Sequence, residues 1–357
     1  MMEHQKALYF MPDISGFTQF VNTTEVEHSI HIIAELLEIL LDTNTLQLKL
    51  VEIEGDALFM YTTKSFSFEE LMHQTNQMMI AFHTHTKTYE NKRICNCGSC
   101  KTTHNLQLKF VLHYGDLNFI KVKEITKPYG KEVIKTHRLL KNNIPINEYL
   151  LITDSVYELF ENKLDKSWEK QSQIYDLHEI KYFYKNLSSI KKELKIEQSK
   201  SIIEEDKEPN YNIQKTMDVN IDKLYELISE LKYRHLWDEA VKELKFDENK
   251  INRVGTQHNC VLQFGNLNFE TISEKSESNR IYGEKTTEML FTNDFYYVIK
   301  LSRISEEQTN LKLEIYIDFT SIGHLMQATL LKMLSKMWNK KLDKLYQLAM
   351  NKSNVNQ

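Results

Sequence analysis

Residues 6–18 read KALYFMPDISGFT and residues 46–61 read LQLKLVEIEGDALFMY. In the first stretch KALYFM is a short apolar run, the pattern of a central strand buried on both faces, and Asp13 sits where that strand ends. In the second, the apolar segments LQLKLVEI and ALFMY are broken at Glu54-Gly55, where a tight turn makes a hairpin with Asp56 at or just after it. Between them Val26, Ile30, Ile33, Leu37 and Leu40 step by three and four, which predicts a helix with that stripe inward. Leu71, Thr75, Met78 and Phe82 continue a second helical period. Leu106, Leu108, Phe110 and Leu112 then alternate with Gln107, Lys109 and Val111, as in a strand. The order strand, helix, hairpin, helix, strand predicts an α+β fold on a ferredoxin-like or palm-like sheet with helices on one face. Such a topology would bring the carboxylates of Asp13 and Asp56 close together.

The chain has 357 residues, more than one ordinary core fills, so two domains are expected. Residues 189–210 read SIKKELKIEQSKSIIEEDKEPN, charged and free of aromatics, the composition of a solvated linker. The expected division is a first domain over 1–190 with a cysteine-rich insertion at 93–104, a charged linker over 191–209 and a second domain over 210–350. The second half opens with an alternating stretch from Tyr211 to Met217, after which Asn220 can cap a helix carrying Ile221, Leu224, Ile228 and Leu231. Leu311, Leu313, Ile315, Ile317 and Phe319 alternate with Lys312, Glu314, Tyr316 and Asp318, which predicts a strand with one buried and one wet face. A closing helix carries the stripe Leu330, Leu334, Met337, Trp338, Leu342 and Leu345.

A formal net charge of -5 with 27% charged residues argues against an electrostatic nucleic-acid binder. No stretch approaches the roughly 18 uninterrupted apolar residues of a membrane span, and the start MMEHQKALYF lacks a basic region followed by an apolar one. Four cysteines, three of them within CNCGSC, are too few and too clustered for a disulfide framework. A cytoplasmic, reducing location is the expectation.

Two carboxylates from separate strands suit Mg2+, which prefers hard oxygen ligands and is commonly held by one or two carboxylates plus substrate phosphates. A pair of such ions about 3.5–4 Å apart can activate an attacking oxygen and stabilise a leaving one. The plainer alternative is that Asp13 caps the following helix and Asp56 serves the turn.

Four blocks bear on that choice. Phe10 to Thr18, FMPDISGFT, resembles the F-x-D-I-x-G-F-T segment of class III adenylate and guanylate cyclases, and Val51 to Ala57, VEIEGDA, resembles their second metal-site hairpin. Leu112 to Asp116, LHYGD, is similar to their I-H-x-G-x strand, and Tyr129 to Leu139, YGKEVIKTHRL, to their F-G-x-x-V-N-x-A-x-R-L helix. The blocks keep the family's order over roughly residues 6–187. The resemblance implies a nucleotide-cyclase-type domain in which Asp13 and Asp56 bind Mg2+ or Mn2+ with the carbonyl of Ile14, and in which the substrate is a nucleoside triphosphate. It also implies that Glu52 reads the purine, where guanylate cyclases carry Glu, and that Arg138 is the transition-state arginine. A carboxylate can accept from guanine N1–H and N2–H2, and a guanidinium can stabilise charge on the transferred phosphate. Since such cyclases build the site across a dimer interface, the resemblance implies a homodimer.

Three positions depart from the pattern. Ile134 stands where the family has its transition-state Asn, Lys127 stands at the second base-reading position, and Glu54 adds a negative charge beside Asp56. Two readings therefore stay open: a purine nucleotide cyclase, active or weak, and a binding or signalling module that uses the cyclase fold for nucleotide binding or dimerisation.

Cys95, Cys97, Cys100 and His104 spell C-x-C-x2-C-x3-H, a ligand set for structural Zn2+, with His83 and His85 as alternative ligands. A surface loop of thiols is the other reading. The second half is similar to the START or Bet v 1 helix-grip superfamily, on the position of Trp237 within WDEAV, the segment GTQHNC at Gly255 to Cys260 and the long closing helix. That resemblance implies a curved sheet around an apolar cavity suited to a lipid or other apolar small molecule.

Overall fold

In the computed structural model the described residues are 5–352, apart from 24, 25, 176, 177, 195–206, 264, 274, 275 and 277. Most of the expected charged linker lies outside them. The chain divides into two compact units, one of Met1–Glu90 with Cys97–Glu197, the other of Asn91–Asn96 with Gln198–Gln357.

The first unit runs β1 (Lys6–Ser15), α1 (Phe17–Thr23), α2 (Val26–Asp42), β2 (Lys49–Glu54), β3 (Ala57–Thr62), α3 (Phe68–Lys92), α4 (Gly98–Thr102), β4 (Gln107–Asp116), β5 (Phe119–Val122), β6 (Ile125–Pro128), α5 (Lys131–Leu139), β7 (Tyr149–Thr153), α6 (Asp154–Tyr157), β8 (Trp168–Tyr175), β9 (His178–Asn186) and α7 (Ser188–Glu193). Seven strands form one sheet in the order β2-β3-β1-β4-β7-β9-β8, and β5 with β6 forms a separate hairpin. Among the described residues of this sheet only the β4–β7 pairing is parallel.

The apolar run KALYFM is the centre of this sheet. Leu8 and Phe10 on one face of β1, and Ala7, Tyr9 and Met11 on the other, are all fully buried. The strand is therefore buried on both faces, as its apolar run predicts. On the Tyr9 side, Val111, Leu139, Tyr149, Leu151 and Tyr182 complete a core that includes the underside of α5. In α2 the inward face differs from the expected stripe: Val26 and Ile30 are 64% and 60% exposed, while Ile32, Ile33, Leu36, Leu37 and Leu40 are buried. The stripe in α3 is as expected, with Leu71, Thr75, Met78 and Phe82 all buried.

The second unit contains β10 (Tyr211–Met217), α8 (Ile221–Ser229), α9 (Arg234–Trp237), β11 (Val241–Lys245), β12 (Gln257–Leu262), β13 (Gly265–Ile272), β14 (Asn279–Thr286), β15 (Thr292–Ser305), β16 (Gln308–Phe319) and α10 (Ser321–Lys352). Its seven strands form one antiparallel sheet in the order β10-β16-β15-β14-β13-β12-β11. The 32-residue α10 packs on β10, β16, α8 and α9 and buries Leu334, Trp338, Leu342 and Leu345. Asn220 caps α8 by accepting from the N–H groups of Asp222 and Lys223. In β16 the expected wet face is only partly wet. Glu314 and Tyr316 are buried, with Tyr316 stacked on Tyr296 and Glu314 paired with Lys300 and Lys312.

Candidate metal and nucleotide site

Asp13 and Asp56 meet because of strand register. β1 pairs antiparallel with β3, which sets Asp13 opposite Ala57, the residue after Asp56. The β2–β3 connection is two residues long, Gly55 and Asp56, between the paired Glu54 and Ala57. Gly55 has φ 65°, a left-handed backbone that glycine adopts without a Cβ penalty. The Ile14 N–H donates to the Asp56 carbonyl at 3.1 Å and ties this turn to β1.

Asp13 is only 8% exposed, and its Oδ2 accepts from Lys109 Nζ at 2.9 Å. Lys109 is its register partner on β4 and also donates to the Leu140 carbonyl at 3.2 Å. The Asp13 and Asp56 carboxyl groups lie within hydrogen-bonding reach of each other. Burial, then the neighbouring Asp13 charge, pushes the Asp56 carboxyl up to about 7, while Lys109 pulls the other way. Lys109 pairs with one of the two carboxylates, and the charge of the second is disfavoured by burial and by Asp13.

A second group lies along β2 and the elements facing it. Glu52 and Glu54, two apart on the strand, share a face. Lys127 Nζ in β6 donates to Glu52 Oε2 at 3.0 Å, so the two expected base-reading positions meet as an ion pair. His137 Nδ1 on α5 lies 3.0 Å from Glu54 Oε2, and the ligand atoms of Glu52, Glu54 and His137 all fall within 4.8 Å of one another. His137 also packs on Phe59 with ring centroids 4.6 Å apart. Arg138 is the next residue of α5 and is half-buried, and Ile134, one turn earlier, is 54% exposed.

The position of α5 is set from β4. His113 Nε2 lies 2.7 Å from Glu132 Oε2, and His113 Nδ1 lies 2.9 Å from the Thr153 hydroxyl. A Cβ on Gly115 would come within 2.9 Å of both the Glu132 side chain and His113 Nε2. The glycine two residues after the histidine in LHYGD is thus the space the His113–Glu132 pair occupies. Lys109, His113, Glu132 and His137 were not singled out from the sequence. For Lys109 and His113 the signal was register, since on β4 the odd-numbered Lys109, Val111 and His113 share one face, while Glu132 and His137 lie within the YGKEVIKTHRL block on α5.

The cysteine loop assembles differently from expectation. Cys95, Cys97 and Cys100 are gathered with His28 of α2, not with His104, and these four ligand atoms all lie within 4.8 Å of one another. His104 sits in a 3-10 turn over Thr103–Asn105, where its carbonyl accepts from Lys191. The alternative ligands are engaged elsewhere, His83 with Glu148 at 2.7 Å and His85 with Glu35 at 3.0 Å.

In the second unit, Trp237 is a core residue whose Nε1–H donates to the Leu227 carbonyl at 2.9 Å. Near the start of α10 a cavity of about 380 Å³ is lined by Leu267, Met289, Phe291, Phe319, Leu330 and Met333 among others. Among the described residues no helix is long and apolar enough to cross a membrane.

Residues 33–149 match the model of a family described as "Protein of unknown function (DUF2652)". A curated relative, "Uncharacterized protein Rv2561/Rv2562" of Mycobacterium tuberculosis, is 35% identical over 133 residues, which is 37% of this chain and 62% of the relative. The chain thus spans less than two thirds of that relative's length. Among solved structures, the adenylyl cyclase CyaB from P. aeruginosa is similar at 15% identity and a TM-score of 0.38, over 50% of this chain and 92% of that one. Norcoclaurine synthase from Thalictrum flavum is similar at 12% identity and a TM-score of 0.32, over 40% of this chain and 86% of that one.

Proposed function

We propose that the first unit is a nucleotide-cyclase-type domain that binds a nucleoside triphosphate through a divalent cation, as a homodimer. The observation that carries this reading is the Asp13–Asp56 pair, two neighbouring carboxyl groups supplied by β1 and the β2–β3 turn, where burial and then the Asp13 charge raise the Asp56 carboxyl to about 7. A carboxyl pair whose second charge is disfavoured in the absence of a cation, and which offers oxygen ligands, fits Mg2+ or Mn2+. Asp13, Asp56 and the Ile14 carbonyl would hold the ion, which when bound supplies charge stabilisation to the triphosphate.

The chain's own residues do the rest. Lys109 balances one carboxylate and sits where it can yield Asp13 or neighbour a phosphate oxygen. His137 faces Glu54 and occupies its Oε2, which orients that carboxylate. Glu52 is a base-reading acceptor only after Lys127 turns away, an exchange that an exposed pair allows at small cost. Arg138 is the group for charge developing on the transferred phosphate.

Ile134 and the Glu52–Lys127 pair favour a second reading, nucleotide binding or dimerisation without turnover. An exposed Ile offers no hydrogen bond to a ribose. For the second unit we read a START-like helix-grip domain whose 380 Å³ apolar cavity takes a lipid or other apolar small molecule and modulates the first unit.

The deciding experiment incubates purified protein with each nucleoside triphosphate and Mg2+ or Mn2+, follows cyclic product by mass spectrometry, and measures metal-dependent nucleotide binding in parallel. Product from GTP or ATP supports the cyclase reading, and binding without product supports the second. If Asp13→Ala and Asp56→Ala bind nucleotide with unchanged metal dependence, the site assignment fails.

A further inference from the structure

We infer that His28, Cys95, Cys97 and Cys100 form a closed, four-ligand zinc site that pins the cysteine-bearing insertion to α2. It is separate in ligands and in chemistry from the Asp13–Asp56 pair.

The geometry is that of a tetrahedral site. His28 Nδ1 lies 3.3 Å from Cys97 Sγ and 3.6 Å from Cys100 Sγ. Bonds of about 2.0–2.3 Å from zinc to nitrogen and sulfur place the ligands of a tetrahedron about 3.3–3.8 Å apart. The four ligand atoms, Cys95 Sγ included, all lie within 4.8 Å of one another. Cys95 precedes Cys97 by two residues, so chain connectivity alone keeps it near.

Hydrogen bonding accounts poorly for this convergence. A neutral imidazole nitrogen carries either one proton or one lone pair, so Nδ1 can serve one sulfur well, yet two close on it. A cation bound to Nδ1 and both sulfurs resolves the arrangement. None of the four cysteines forms a disulfide. Three thiolates and an imidazole are a soft set that selects zinc and disfavours magnesium. Cys97 and Cys100 stand one turn apart at the start of α4, and the Cys100 N–H donates to Cys97 Sγ at 3.4 Å, a contact that supports a thiolate ligand.

The structure also explains what such a site would do. α4 packs on α1 and α2, and the ion would cross-link α2 to a segment about 70 residues downstream. With four protein ligands and no open position, its role is structural and not catalytic.

The test uses the full chain carrying no histidine tag and purified without chelator. Elemental analysis is expected to find one zinc per chain. His28→Ala is expected to weaken zinc binding, in competition with a chromophoric chelator, by more than the roughly 10–100-fold that loss of a supporting group outside the ligand set costs. His104→Ala is expected to leave affinity and stoichiometry unchanged. Because a cysteine variant can fail to fold, the wild-type chain is also reconstituted with Co2+, where a thiolate-to-metal charge-transfer band and a tetrahedral ligand-field spectrum are expected. Absence of both zinc and the cobalt–thiolate band overturns the site. Zinc lost in His104→Ala but kept in His28→Ala overturns the ligand set, and stoichiometric iron overturns the metal.

Discussion

Lys109 is the residue on which the carboxylate pair turns. It lies opposite Asp13 in register and brings a positive charge to 2.9 Å from a carboxylate that neighbours Asp56. If a divalent cation and the Lys109 ammonium compete for Asp13, removing the ammonium has two effects of opposite sign. Lys109→Met should lower stability without metal by about 3 kcal/mol, the low end of the cost of breaking a buried pair. It should also enlarge the stabilisation gained on adding Mg2+, because the cation then neutralises a pocket with no countercharge. Thermal melts of both proteins with and without Mg2+ measure this, and equal Mg2+-induced shifts would mean that Lys109 and the cation do not share Asp13. Asp56 could be placed at a turn from the sequence because Glu54-Gly55 interrupts two apolar runs. The role of Lys109 could not, since a lysine alternating with apolar residues reads equally well as a solvated strand position.

At the scale of elements, the His113–Glu132 contact fastens α5, and with it His137 and Arg138, to the central sheet. Burial holds the His113 imidazole below its ordinary 6.5, and its bond to His113 holds Glu132 below its ordinary 4.5. Both groups bind more protons unfolded than folded, so both contribute stability that falls as the pH falls. The His113 share should begin to be lost below about pH 6.5 and the Glu132 share below about pH 4.5. Denaturant unfolding should therefore show a decline that in Glu132→Gln is flatter below about pH 4.5, where the carboxyl's share is gone, but no shallower between about pH 6.5 and 4.5, because losing Glu132 lowers the His113 imidazole further. An unchanged profile in that variant would remove the pair from the account. The strand, hairpin and capping elements were readable because each is written in consecutive residues. The inward face of α2 was not, because apolar residues at Ile30, Ile32, Ile33, Leu36, Leu37, Leu40 and Leu41 allow more than one stripe, and packing selects the one through Ile32 and Leu36. For the same reason His28 was missed as a partner of the cysteines while His104, four residues from Cys100, was preferred. A contact made through tertiary packing across about 70 residues leaves no local pattern.

At the scale of the whole molecule, the proposed homodimer makes the number of chains that build one site a measurable quantity. The β5–β6 hairpin is exposed along nearly its full length, yet it carries Phe119, Ile120, Val122 and Ile125, the last 70% exposed, and exposed Tyr129 follows it. A hairpin that is both solvent-facing and apolar is costly for a free chain, and it is the surface on which the proposed homodimer can be tested. This agrees with the homodimer implied by the cyclase-like motifs. If the proposed dimer uses this hairpin, the double variant Val122→Asp/Ile125→Asp should sediment as a monomer at concentrations where the wild type self-associates. Its melting should change little, because neither side chain is part of a core. If the site is assembled from two chains, metal-dependent nucleotide binding or cyclic product should fall along with the dimer fraction and return only at higher protein concentration. Should the variant stay dimeric, the hairpin is not the interface, and should it become monomeric with function unchanged, each chain carries a complete site.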